Sequence, residues 1–212
     1  MQAYKIYFTN KKFLIAFFSA AILLVASLVV QYHASFYVTR SISEPVTDIV
    51  LSNTRVWDVG GIFVWGALLL TFIAVIVGFR KPNYTPFIMD SIAFFTLIRS
   101  FFVSLTHISP FPTRALIESA FFQHSWFNGI FTGNDLFFSG HTGVPFLLAL
   151  IFWKNKTLRY VFLGFSVVFA VVVLLGHLHY SIDVASAYFI TYTIFHLCQV
   201  VFKKDWELFL KE

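Results

Sequence analysis

Apolar residues in this chain do not recur at the spacing of a helix with one wet face. They run almost unbroken for close to twenty positions at a time, six times over, at about 13–30, 60–79, 87–105, 136–153, 160–175 and 182–202. A helix needs roughly 20 such residues to cross the hydrocarbon core of a bilayer, and one that is apolar all round has no face to offer water. The pattern therefore predicts an all-α fold, an integral membrane bundle of six transmembrane helices, with residues 1–212 as a single membrane domain. Two segments between the runs are long and more polar, 31–59 and 106–135. They hold Pro45, Pro110 and Pro112 among aromatic residues and isolated charges, which predicts loops with short interfacial helices.

Charge orients the bundle. Six crossings put both termini on one side, together with alternate loops that carry Lys5, Lys11, Lys12, Arg80, Lys81, Lys154, Lys156, Arg159, Lys203, Lys204 and Lys211, which is 11 of the 15 basic residues. The other side keeps Arg40, Arg55, Arg99 and Arg114. The positive-inside rule then predicts cytosolic termini, with the two long loops on the non-cytosolic face, be it periplasmic, lumenal or extracellular. The first run has a basic lead-in like a signal peptide, but it exceeds the usual h-region and no A-x-A site follows, so it is expected to stay as a helix.

Composition narrows the classes further. The chain is 58% hydrophobic and 12% charged, with 29 Phe, outside the range of a soluble domain. The net charge of +5 lies in small clusters between apolar runs rather than along a stripe, so nucleic acid is not an expected partner. Cys198 is the only cysteine, which excludes an internal disulfide and leaves helix packing as its reading. No internal repeat is visible, against the two related halves common in transporters. Oligomeric state leaves no mark.

Chemistry gathers at the predicted outer ends of two spans. Ser139-Gly140-His141-Thr142 opens the fourth, and His179-Tyr180-Ser181-Ile182-Asp183 opens the sixth. If the second segment is helical, His179 and Asp183 share a face, and the carboxylate can take a hydrogen bond from one ring nitrogen while the other keeps its lone pair. That arrangement suits a general base or a nucleophile that takes a phosphoryl group. His141 is the candidate for the second proton-transfer group. Gly140 allows backbone to approach a phosphate, and Ser139 with Thr142 offers hydrogen bonds at a helix N-terminus that favours anions. Arg99 lies within an apolar run near its outer end, where a cation asks for a partner: a phosphate, or the headgroup layer reached by snorkelling. Asp135 could orient His141, meet a headgroup cation or cap the helix. His177 and His124 are weaker candidates. A metal is not expected, since His177 and His179 would point apart on a helix and the triad needs neither metal nor cofactor.

Gly133-Asn134-Asp135-Leu136-Phe137-Phe138-Ser139-Gly140-His141-Thr142 resembles the G-D-x-x-F-S-G-H-T block of the sphingomyelin synthase family, within the type 2 phosphatidic acid phosphatase superfamily. His177-Leu178-His179-Tyr180-Ser181-Ile182-Asp183-Val184, followed by Ala187-Tyr188-Phe189-Ile190-Thr191, is similar to its H-x-H-Y-[TS]-[VI]-D-V-x-x-A-Y-[YF]-I-T segment. Arg99 to Pro110, Asp48 and Asp58 fall near two further blocks. The resemblance spans about 48–202. It implies a six-helix core with His179 as nucleophile, Asp183 as its orienter and His141 as general acid and base. The implied reaction moves a phosphorylated headgroup from a glycerophospholipid to ceramide or a related lipid alcohol, releasing diacylglycerol. Arg99, Asp135, Ser139, Gly140 and His177 are then the residues expected around the phosphate and headgroup.

The departures matter too. The K-x6-R-P block of the lipid phosphatases is absent, and Val172-Val173 stands where their S-R pair would precede the histidine. A monoester dianion needs strong cationic clamps and a diester monoanion fewer, which favours a phosphodiester substrate. The competing expectations are a lipid phosphatase or phospholipase C-like hydrolase using the same triad with water as acceptor, and a non-catalytic lipid transporter or scaffold.

Overall fold

In the computed structural model the described residues are 7–115 and 133–211, and all of their long elements are helices. They are α1 (Lys11–Arg40), α2 (Gly60–Arg80), α3 (Thr85–Leu105), α4 (Gly140–Ile151), α5 (Lys156–Leu175), α6 (Ser181–Val201) and a short α7 (Lys203–Phe209). Single 3-10 turns lie at Leu51–Asn53 and Pro82–Tyr84. Among the described residues five helices are long and apolar enough to cross a membrane, and α4 is a shorter apolar helix. The protein is an all-helical integral membrane bundle. His124, a weaker candidate, lies outside the described residues.

Helix starts are set by side chains that take up otherwise unpaired amides. Asn10 Oδ1 accepts from Lys12 N at 2.9 Å, Asn155 Oδ1 from Leu158 N at 3.1 Å, and Ser139 caps α4. Three boundaries differ from expectation. α1 continues ten residues past Val30, because its polar outer third finds partners inside the protein rather than lipid. α4 begins at Gly140, not at Leu136, since the cap falls on Ser139. The chain also turns after α6, so that α7 folds back and packs on α3.

α4 occupies the middle, against α3, α5 and α6, while α1 lies along α3 and α2 along α5. The core between them is phenylalanine and leucine, with Phe87, Phe95, Phe138, Leu147, Phe162 and Phe169 almost wholly buried. Lipid gives no hydrophobic drive for helix pairing, so close packing has to supply it. Gly143 marks one such approach: a Cβ there would sit 2.7 Å from the Phe95 ring and 2.9 Å from Thr191 Oγ1. The large side chains of α1 and α2 that remain exposed, among them Phe18, Ile22, Trp65 and Phe72, are the surface the bilayer would wet.

At the basic end an aromatic cluster closes the bundle, with Tyr84 and Phe209 ring centres 4.4 Å apart and Trp206 stacked on Phe209 at 5.2 Å. At the opposite end the N-termini of α4 and α6 meet. Ser139 N donates to Asp183 O at 3.1 Å, so one hydrogen bond joins the two histidine-bearing segments.

Candidate active site

The α5–α6 connection is a tight turn, not a helix. His177 sits in it with φ of 52° and is buried. Its Nδ1 lies 2.6 Å from Thr113 Oγ1 and its Nε2 3.3 Å from Thr54 Oγ1. Both ring nitrogens therefore lie against hydroxyls, one from each of the two segments that precede α2 and follow α3.

Two residues on, His179 precedes α6 and Asp183 is its third helical residue. Nδ1 lies 3.3 Å from Asp183 Oδ2, a long hydrogen bond of the kind that often tightens only with substrate present. The expected pairing thus forms, but across the helix start rather than along a helical face. The same Oδ2 accepts the Tyr180 amide at 2.9 Å, which fixes the carboxylate as a cap. Oδ1 is buried without a hydrogen-bond partner among the described residues.

His141 is in the first turn of α4. Phe63 of α2 stacks on its ring with centroids 3.9 Å apart and planes 28° from parallel, and Phe169 of α5 meets it edge-on at 5.5 Å. Ser139, which caps the helix, accepts from Thr142 Oγ1 at 3.2 Å and is fully buried. His179, Arg99 and Asp135 are all near enough to His141 for their charges to act on it. The structure thus brings His141, His179 and Asp183 to one end of the bundle.

Arg99 is the largest departure from expectation. Its Nη1 forms an ion pair with Asp135 Oδ2 at 2.7 Å, its Nε donates to Phe138 O at 2.8 Å, and its Nη2 donates to Asp135 O. The cation is satisfied by the loop entering α4, neither snorkelling nor free. A Cβ at Gly140 would lie 3.4 Å from Arg99 Nε, so the glycine faces the guanidinium. A positive charge at the positive end of a helix is unfavourable, and Asp135 offsets it.

Two residues at this end were not singled out from sequence as site residues. Asp48 Oδ1 accepts from Val50 N at 2.8 Å and Leu51 N at 3.1 Å, while Oδ2 accepts from Ser181 N at 2.6 Å. One carboxylate therefore caps both the 3-10 turn and α6. Burial would raise its pKa, but the hydrogen bonds from Ser181, Leu51 and Val50 outweigh that and hold it below the ordinary value. Arg114 donates through Nη1 to Gly133 O at 2.7 Å, and burial lowers its pKa against the pull of Asp135. Asp58 only caps Gly60 N, at 3.1 Å. Among the described residues no group of three or more His, Cys, Asp or Glu is placed to hold a metal ion.

Residues 132–200 match the family described as PAP2 superfamily C-terminal. The match covers about a third of the chain and includes His141, His177, His179 and Asp183. No curated protein matches the chain, and no solved structure does.

Proposed function

We propose that the protein is a membrane enzyme that transfers a phosphorylated headgroup from a glycerophospholipid, with His179 as nucleophile. The observation that carries this is the convergence of an Asp183-held imidazole with a second imidazole, His141, from another helix start. The family match supports lipid phosphatase or phosphotransferase chemistry in general. With Nδ1 directed to Asp183, His179 Nε2 attacks phosphorus, and His141 protonates the leaving diacylglycerol oxygen as the P–O bond breaks. Asp183 balances the positive charge on the phosphorylated ring. In the second half His141 takes a proton from an acceptor hydroxyl, whose oxygen attacks phosphorus and releases His179.

The acceptor is ceramide or a related lipid alcohol. Water in the same place makes the enzyme a hydrolase, a lipid phosphatase or phospholipase C-like enzyme using the same triad. The clustering of basic residues at the other end of the bundle supports a site on the non-cytosolic face.

The test is incubation of the protein in lipid with headgroup-labelled phosphatidylcholine or phosphatidylethanolamine, with and without ceramide, beside His179→Ala. Label in a ceramide product supports transfer, and water-soluble label lost in the variant moves the assignment to a hydrolase. Absent turnover, or turnover unchanged in the variant, overturns the catalytic reading for these donors and leaves a transporter or scaffold.

A further inference from the structure

Three polar side chains interrupt the outer third of α1 at i, i+4 and i+8: Gln31, Ser35 and Thr39, which share one face. That face meets α3 and the loop entering α4. Gln31 Nε2 donates to Ser35 Oγ at 3.0 Å and to Asp135 Oδ2 at 3.1 Å, and its Oε1 accepts from Ser100 Oγ of α3 at 3.0 Å. Further out, Asn134 Nδ2 donates to Thr39 Oγ1 at 3.4 Å. Gln31 is thus a second donor on the carboxylate oxygen that Arg99 Nη1 holds at 2.7 Å.

A carboxylate oxygen with one donor can rotate about it. Two donors from separate helices remove that freedom. Asp135 so fixed also fixes the Arg99 guanidinium, whose Nε is bonded to Phe138 O, three residues before His141. The chain of contacts runs from α1 through α3 into the backbone that opens α4. In lipid the alternative for each of these polar groups is to go unpaired, which favours the closed network.

We propose that Gln31 is a positioning residue of this site: through Asp135 Oδ2 it holds Arg99 against the first turn of α4, and so sets the direction of His141. It touches no reacting atom. The proposal rests on His141 acting in proton transfer, and it reaches beyond the matched segment, since α1 lies outside residues 132–200.

The experiment compares wild type, Gln31→Met and Asp135→Ala with the double variant, in turnover of labelled phospholipid and in thermal unfolding. Methionine fills the glutamine's space without its donor. The expected result is a kcat for Gln31→Met lower by about tenfold, with KM within about twofold, because alignment rather than binding is lost. In the Asp135→Ala background, where that oxygen is gone, the same change costs clearly less, since both act through one oxygen. Gln31→Met with wild-type kcat, or losses that multiply in the double variant, overturns the proposal. If wild type itself turns over no donor, the phosphotransfer reading falls separately. Gln31 is then judged by the unfolding midpoints, where additive shifts overturn the link to Asp135 and a non-additive pair supports it.

Discussion

Asp183 holds His179 with one carboxylate oxygen and leaves the other bare. Oδ2 lies 3.3 Å from Nδ1 and also takes the Tyr180 amide, whereas Oδ1 is buried with no hydrogen-bond partner among the described residues. A bare buried carboxylate oxygen is costly, and a positive charge on the adjacent imidazole is what relieves it. Asp183→Asn keeps an oxygen for the Tyr180 amide but loses the charge. Turnover is expected to fall by about 10³-fold or more, as when the orienting carboxylate of a catalytic histidine is removed. Unfolding should change little. Retained turnover in the headgroup-release assay would count against the assigned role.

His177 has a hydroxyl against each of its ring nitrogens. With Thr113 and Thr54 on its two nitrogens, His177→Ala releases two outer loops and removes a side chain from a position at φ of 52°. A loss of about 1–3 kcal/mol in stability is expected, in line with broken buried hydrogen bonds. KM for a lipid donor should move little at permissive temperature. A raised KM without a lower unfolding midpoint would support the headgroup role.

Asp48 ties stability to acid pH. Hydrogen bonds hold its carboxyl below the ordinary carboxylate value in the folded protein, so its contribution is present in full above the unfolded value and is lost as pH falls through the lower folded one. Asp48→Asn is expected to destabilise by about 1–3 kcal/mol at neutral pH, as for hydrogen bonds to a charged group. The gap between variant and wild type narrows below about pH 4. Unfolding midpoints followed from neutral to acid pH check this, and a constant gap would refute it.

Orientation can be read with thiol reagents, because Cys198 is buried and gives little background. Exposed Ser52 lies in the segment 41–59 between α1 and α2, and exposed Lys156 at the basic end. Ser52→Cys is expected to react with an impermeant maleimide added outside intact cells, and Lys156→Cys only after lysis. The reverse pattern would put the site in the cytosol.

The helices were legible because a bilayer asks only for length and apolarity, both of which lie along the chain. His141, His179 and Asp183 were legible because each sits within a few residues of a helix start. The pairing of Arg99 was hidden for the opposite reason: its partner Asp135 is 36 residues away, and a cation in an apolar run looks unpaired until the fold brings the two together. Thr54 and Thr113 carry no pattern that marks them as partners of His177. Gln31 seemed to end a span, since a lone amide after an apolar run reads as the water boundary. Only the neighbouring helix shows that it points inward.

α1 and α4 also differ in reach. At 1.5 Å per residue, the 30 residues of α1 extend about 45 Å and the 12 of α4 only about 18 Å, beside a hydrocarbon core of about 30 Å. No single bilayer thickness matches both. The shorter one is packed among α3, α5 and α6 and carries His141 at its N-terminus beside Phe169 of α5, so the imidazole lies about 9 Å short of where α5 ends at Leu175. A lipid phosphate that is to meet the imidazole in the proposed reaction therefore has to descend between the helix ends rather than wait at their level.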